Sequence, residues 1–216
     1  MKTAKHKKLH TVIVAGGNCD LNHFSDILSD AFLIGADRGA LKLVDAGYNV
    51  DLAVGDFDSV SEAELERIYK GCAEVESLKP EKNDTDLEYA IKRAAKISKR
   101  LDILGATGTR ADQTFAALNL LRKCYDLGLE AYIHDSHNRI RLIKDYASLS
   151  RKDAGHKYVS LIPYGKTLIV TLKGFKYSGE NVVLKRDESR GVSNEIEDDV
   201  ATIRCHGFLY VFESDD

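Results

Sequence analysis

"AFLIGADRGALKLVDAGYNVDLAVGDFDSV", residues 31 to 60, carries the topology of the first half of the chain. Two short apolar runs, "AFLIGAD" (31–37) and "LAVGD" (52–56), read as buried strands. Between them "RGALKLVDAG" has helical spacing and closes on Gly47, the residue a helix end favours. Strand, helix and strand in this order make a parallel pair joined by a crossover. The second strand runs straight into Asp56 and Asp58.

Asp, Gly and Ser are ordinary turn residues, so "GDFDS" reads first as a turn without chemistry. Its position adds a second reading, because ligands of open α/β sheets gather beyond the carboxyl ends of the strands. Two carboxylates so close repel each other unless a proton or a cation lies between them. A metal site is therefore the leading functional reading of Asp56 and Asp58.

The same alternation extends on both sides. "TVIVAGG" (11–17) reads as a strand with a glycine turn, and "LNHFSDILS" from Leu21 as a helix. "SEAELERIYKG" from Ser61 starts with a capping-box pattern. "TDLEYAIKRAAKIS" from Thr85 places Leu87, Ala90, Ile91 and Ala94 on one helical stripe. "LDILGATG", "DQTFAALNLLRKCYDLG" and "LEAYIHD" complete the series as strand, helix and strand. The expectation is a doubly wound α/β domain with a parallel sheet. After about Asp135 the helical period disappears. "NRIRLIK", "KYVSLIP", "TLIVTLKG", "NVVLK", "DVATIRC" and "FLYVFES" are short and often alternating, and read as a small β-sandwich or barrel. We place the α/β domain at residues 1–138 and the β-sandwich at 139–216.

Composition narrows the class. The chain has 216 residues, enough for one large or two small domains, with 31 basic against 34 acidic residues and a net charge of −3. That balance points away from nucleic acid and from membrane surfaces. The basic stretch "KTAKHKK" at Lys2 to Lys8 reads as a solvated tail. No apolar run is long enough to span a bilayer, and Met1 is not followed by a signal-peptide core, so the expectation is a soluble cytoplasmic protein. Cys19, Cys72, Cys124 and Cys205 form no C-x-x-C pair and read as reduced thiols.

Four polar clusters fall at strand-to-helix turns: "GADRGA" (35–40), "GDFDS" (55–59), "EKNDTD" (81–86) and "GATGTRADQ" (105–113). In a parallel sheet these turns share one edge. They bring Asp37, Asp56, Asp58, Asp84, Asp86 and Asp112 toward Arg38, Lys82 and Arg110. Simple capping accounts equally well for Asp84 and Asp86, since Thr85 with Glu88 is a second capping-box pattern. "GATGTR" lacks the lysine of a Walker loop. Acids for a divalent cation, with bases and glycine amides for phosphate oxygens, point to phosphoryl or nucleotidyl chemistry on a Mg²⁺–nucleotide.

In this order the clusters resemble the thiamine pyrophosphokinase family. "GADRGALKLVDAGYNVDLAVGDFDSV" is similar to its G-A-D-x-G-A followed by D-x-x-x-G-D-F-D-S. "EKNDTDLEYAI" resembles its K-x-x-T-D helix start, "GATGTRADQTFAALNLL" its G-x-x-G-x-R-x-D motif, and "RGVSNEI" (190–196) its R-G-V-S-N-E signature. The resemblance runs from Ala31 to Ile196. It implies an α/β domain, a β-sandwich domain, and a homodimer with thiamine near the subunit interface. It also implies conversion of ATP and thiamine to AMP and thiamine diphosphate. By position, Asp56, Asp58 and Asp86 would hold Mg²⁺ and triphosphate, with Asp37 and Asp112 nearby. Thr85, Lys82, Gly108 and Arg110 would meet the nucleotide, and Ser193 and Asn194 the thiamine pyrimidine. The chain departs from the pattern at Asn83, at Gln113, and in having no Trp, so a Tyr or Phe, or a different pocket, would have to serve in place of the indole that some members stack on thiamine. Two other classes remain open: a haloacid-dehalogenase-type phosphatase with Asp56 as nucleophile and Asp58 as acid, and a nucleotide- or thiamine-binding module without turnover.

Overall fold

The structure, a computed structural model, describes residues 10–79, 84–153 and 155–216. It divides into one unit ending at Ser136 and a second spanning His137–Asp216.

The first unit contains β1 (His10–Val14), β2 (Phe32–Ala36), β3 (Leu52–Gly55), β4 (Val75–Ser77), β5 (Arg100–Leu104) and β6 (Glu130–His134). They form one parallel sheet in the order β6-β5-β1-β2-β3-β4. Val12, Ile13 and Val14 are fully buried, as are Leu52, Ala53 and Val54. Strands covered on both faces read as continuous apolar runs, which is why the sequence showed no alternation here. The helices are α1 (Ser25–Ser29), α2 (Arg38–Asp45), α3 (Glu62–Gly71), α4 (Asp86–Ala94) and α5 (Ala111–Asp126). Strand order runs outward from β1 to β4 and then reverses, so that β5 returns to the other side of β1. Right-handed crossovers carry α4 and α5 to the face opposite α2 and α3. The crevice between the carboxyl ends of β1 and β5 is thus the switch point of the sheet.

Ser61 caps α3 as expected. Its hydroxyl accepts from the Glu64 amide, and the Glu64 carboxylate accepts from the Ser61 amide at 2.7 Å. Thr85 forms half of its box: its hydroxyl accepts from the Glu88 amide at 3.2 Å, but the Glu88 carboxylate turns to Lys123 of α5. An ion pair between two helices wins over the reciprocal cap. Only the last residues of the expected Leu21 helix become α1. The three-residue edge strand β4 was not anticipated, being too short to show a period.

The second unit is built from β7 (Asn138–Ser150), β8 (Tyr158–Pro163), β9 (Thr167–Lys173), β10 (Gly179–Lys185), β11 (Asn194–Glu195) and β12 (Val200–Ser214). "DVATIRC" and "FLYVFES", read above as separate strands, are one bent strand. Around Gly207 the register against β7 shifts between Arg204 and Phe208. There the Gly207 amide donates to the Asp145 carboxylate at 2.9 Å, and Asp145 itself has φ 63°. Both long strands therefore bend at one bulge. Before it β12 pairs with β9, and after it with β8. Two antiparallel layers close over a core that includes Leu149, Val159, Leu161, Val170, Ile203 and Val211, which is the β-sandwich.

In α2, a Cβ added at Gly39 would lie 1.8 Å from the Val14 carbonyl oxygen of β1. Gly39→Ala must push helix and strand apart, and should destabilise the protein by about 1–3 kcal/mol, the cost of overpacking. Gly165→Ala, where nothing lies within 4 Å of the added carbon, should be near neutral. Urea unfolding of both variants checks the contrast.

Candidate active site

The carboxyl edge of the parallel sheet gathers the polar turns. Asp37 follows β2 in a left-handed conformation with φ 49°, and its amide donates to the Val54 carbonyl of β3 at 2.8 Å. This ties it to the neighbouring strand that delivers Asp56 and Asp58. Carboxylate oxygens of Asp37, Asp56 and Asp58 all lie within 4.8 Å of one another. The cluster is braced from its rim. The Ser59 hydroxyl donates to Asp37 Oδ2 at 2.8 Å, the Arg38 guanidinium to the Ser59 carbonyl at 2.9 Å, and the Asp58 amide to Asp56 Oδ1 at 3.3 Å. Asp37 Oδ1 is buried with no hydrogen-bond partner.

Electrostatics agree with this geometry. The Asp58 carboxyl is pushed above its ordinary range chiefly by the negative charge of Asp56, with Asp37 and Asp86 adding to it. A buried acceptor without a donor, beside carboxylates whose charges repel, is an arrangement that a bound cation would suit. Hard oxygen ligands suit Mg²⁺. Of the three residues expected to hold it, Asp56 and Asp58 are in the tight cluster, Asp37 joins them there, and Asp86 stands farther out. Asp84 is engaged elsewhere: Lys92 of α4 holds it at 2.6 Å and keeps its carboxyl below the usual range.

Beside the acids lies a cavity of about 220 Å³ at the switch point. Gly16, Gly17 and Gly105 form one wall, Asp37, Thr85 and Asp86 another, and Leu87, Ala117 and Leu120 an apolar end. The wall is stitched together. The Gly17 amide donates to the Gly105 carbonyl at 2.8 Å, and the Lys42 ammonium donates to the carbonyls of Gly16, at 2.9 Å, and of Gly17. Burial lowers the Lys42 pKa. Gly105 has φ 66°, and a Cβ there would meet the Ala15 carbonyl at 2.7 Å, so this turn requires glycine. At Gly108, singled out from the sequence, an added Cβ would make only an ordinary contact, 3.9 Å from the Asn18 amide nitrogen.

Arg110 occupies the N-cap of α5. Its guanidinium grips Asp112 in a two-pronged pair at 3.2 and 2.6 Å, and that contact holds the Asp112 carboxyl low. Both side chains are about two-thirds exposed. Thr107 in the same turn donates to Asp135 at 2.9 Å. Lys82 lies outside the described residues. Ser59, Lys42 and the Gly16–Gly17 turn received no role from the sequence. The glycine pair directly after the first strand was the available signal for the last.

In the second unit Ser193 is exposed, with φ 59°, and its amide donates to the Ser160 hydroxyl at 3.0 Å. Asn194 is 6% exposed. Its Oδ1 accepts from the amides of Tyr177, at 3.0 Å, and Glu195, at 2.9 Å, while its Nδ2 donates to the Tyr177 carbonyl at 3.0 Å. Most of its hydrogen-bonding capacity is thus engaged within the chain. The Tyr177 ring that it anchors is 64% exposed, at a cavity of about 150 Å³ lined also by Ser178, Arg190 and Val192.

Comparison with known proteins decides the family. A model described as "Thiamin pyrophosphokinase, catalytic domain" matches residues 24–133, and "Thiamin pyrophosphokinase, vitamin B1 binding domain" matches 147–207. The thiamine pyrophosphokinase of Bacillus subtilis (strain 168) is 34% identical over 192 residues, covering 85% of this chain and 88% of that protein. The chain belongs to the thiamine pyrophosphokinase family.

Solved structures agree. That of the Bacillus subtilis thiamine pyrophosphokinase has a TM-score of 0.85 at 31% identity, covering 96% of this chain and 99% of the other. That from Geobacillus thermodenitrificans has a TM-score of 0.84 at 29% identity, covering 96% and 98%. The acid cluster, the glycine-walled cavity's acids and Arg110 fall within the catalytic-domain match. Tyr177, Ser193 and Asn194 fall within the vitamin B1 binding match. The phosphatase and the non-catalytic module, open on residues alone, find no support among these relatives. Among the described residues no helix is long and apolar enough to cross a membrane.

The raised Asp58 pKa has a thermodynamic sign. A carboxyl whose folded pKa lies above its unfolded value stabilises the fold at low pH and loses that contribution as pH rises through the carboxylate range. Without divalent ions at neutral pH, Asp58→Asn should therefore melt above the wild type, and the gap should close in acid. Added Mg²⁺ should raise the wild-type melting temperature and leave the variant nearly unchanged. Thermal melts across pH, with and without Mg²⁺, test both halves.

Proposed function

We propose that this thiamine pyrophosphokinase transfers the β,γ-diphosphoryl group of Mg²⁺-bound ATP to the hydroxyl of thiamine, releasing AMP. The observation that carries the proposal is the convergence of Asp37, Asp56 and Asp58, with one buried oxygen unpartnered, beside a glycine-walled cavity at the switch point. Asp56 and Asp58 hold the ion, with Asp37 and Asp86 completing its acidic surround. Mg²⁺ there would neutralise phosphate charge and stabilise the oxygen that leaves with AMP.

The chain's residues supply the rest. Thr85 and the start of α4 line the same cavity, where the positive end of the helix dipole favours phosphate charge. Gly108, Lys82 and Arg110 lie on the motifs assigned to the nucleotide, and Arg110 offers its planar fork when Asp112 shares or releases it. The thiamine oxygen bonds to the β-phosphorus while the bond from that phosphorus to the α,β-bridging oxygen breaks. The hydroxyl proton is lost, so thiamine diphosphate, AMP and H⁺ balance ATP and thiamine. In-line placement of these groups is the main contribution the protein makes to the rate.

For thiamine, the exposed Ser193 hydroxyl is the donor to a pyrimidine nitrogen. Asn194 keeps one N–H for the ligand and otherwise fixes the peptide of Tyr177, whose ring takes the place of the missing indole against the cationic thiazolium or the pyrimidine. We further propose a cytoplasmic homodimer. Four free cysteines fit a reducing compartment. Ile169 and Val183, cross-strand partners on β9 and β10, leave an apolar pair 53% and 37% exposed on the sandwich face that also carries Tyr146.

Incubation with Mg²⁺, ATP and thiamine should give AMP in step with thiamine diphosphate. Inorganic phosphate without AMP would overturn the proposal. Arg110→Ala should lower kcat/KM about tenfold or more, with Lys restoring only part. Ser193→Ala and Tyr177→Ala should each raise the thiamine KM roughly 5- to 150-fold, the loss of one polar or stacked partner that the bound ligand would cover, and leave the ATP KM unchanged. Steady-state kinetics with each substrate varied decides both, and light scattering at assay concentration decides the dimer.

A further inference from the structure

Phe57 sits between the two acids and has a conformation its side chain does not favour. Its φ is 55°, in the left-handed region. The other non-glycine residues found there among the described residues are Asp37, Asp145, Asn181 and Ser193, small polar side chains. For a bulky aromatic this backbone is an outlier that must be held by its surroundings. The ring is 5% exposed and packs with Ala40 and Leu41 of α2, Ala53 of β3 and Ile68 of α3.

The left-handed residue has a geometric consequence. At Phe57 the chain leaves β3 and enters a turn in which the Val60 amide donates to the Phe57 carbonyl at 3.3 Å, and there the carboxylates on either side of it meet Asp37, all within 4.8 Å. Their mutual repulsion favours opening the turn. Opening it means drawing the Phe57 ring out of its seat between α2 and α3. The bracing contacts of Ser59 and Arg38 act at one end of the turn, and across it runs one long bond of 3.3 Å from the Asp58 amide to Asp56 Oδ1; the ring anchors its centre.

We infer that Phe57 is a positioning residue for the divalent-ion site, its buried ring holding Asp56 and Asp58 convergent against their repulsion before any ion arrives. The inference rests on the reading of the acid cluster as an ion site. It separates the roles of the three motif residues: the acids are ligands, and the aromatic between them sets how much of the binding energy is lost in assembling them.

The test is Mn²⁺ affinity of the nucleotide-free protein, read from the free-ion electron paramagnetic resonance signal, which requires no turnover. Phe57→Ala should bind Mn²⁺ about 10- to 100-fold more weakly than wild type, the range for losing a group that orients metal ligands. Leu28→Ala, which removes a buried side chain from a different core cluster, should lower the melting temperature yet keep Mn²⁺ affinity within about twofold, since distant core changes act independently. Wild-type affinity in a folded Phe57→Ala, or equal losses in both variants, would reduce the ring to ordinary packing. Should Phe57→Ala fail to fold, Phe57→Leu takes its place. A loss of about threefold or more supports the inference, because a flexible aliphatic fills the seat without the ring's rigid fit, and unchanged affinity overturns it. Absence of Mn²⁺ binding by the wild type would instead remove the ion-site reading itself, an outcome distinct from the failure of the Phe57 role alone.

Discussion

Close approach of α2 to the strands beneath it is the constraint on which the site depends. At Gly35 an added Cβ would stand 2.2 Å from the Ala40 Cα, and at Gly39 1.8 Å from the Val14 carbonyl. Such distances exist only because neither position carries a side chain. Helix and sheet backbones therefore meet directly, and the connection between β2 and α2 shrinks to the single residue Asp37. Asp37 then has no freedom to choose its backbone. It takes a left-handed conformation against Gly55, where a Cβ would come within 3.1 Å of the Asp37 Cα. The carboxylate is delivered to the sheet edge by packing, and its conformational cost is offset by burial elsewhere.

Three acids held together in this way illustrate a general division of labour. The stability of the fold resides in the apolar strands and the helices over them, whereas the sheet edge carries strain and like charge that destabilise it locally. Phe57 joins the two regions, since one residue belongs both to the core under α2 and α3 and to the acid turn. A cation bound there would relieve the repulsion, so ligand binding and local stability would rise together. Pre-assembled ligands lose little on binding, which is the property a phosphoryl-transfer site requires.

In the β-sandwich unit a motif residue is used mainly to hold the chain itself. Asn194 occupies a signature position, yet its carboxamide is mostly used on the peptide of Tyr177 and the amide of Glu195. Gly191, earlier in the same signature, allows a backbone approach in which a Cβ would lie 2.1 Å from the Leu161 carbonyl. The signature thus builds a rigid corner between β8 and the turn at Tyr177, and presents Ser193 and an aromatic ring from it. In the proposed site, recognition chemistry would fall mainly on the neighbours of the residues that make the corner.

Much of this was legible in the linear chain, for identifiable reasons. Buried parallel strands are continuous apolar runs, helices stop at glycine, and the sheet's carboxyl edge collects whatever polar residues follow each strand. Those local rules located Asp37, Asp56, Asp58, Asp86 and Arg110, and the order of their motifs indicated the family. Local rules do not carry distance across the sheet. They gave no reason to place Asp37 in the acid cluster ahead of Asp86, because that depends on β2 and β3 being neighbours and on a left-handed residue between strand and helix. They read "HG" as a break in β12, whereas two strands bend together at one bulge, and they offered Thr85–Glu88 a reciprocal cap that Lys123 of another helix takes away. Periodicity and turn chemistry act within a few residues and are written in the sequence; competition among partners brought together from distant segments is settled only when the chain has packed.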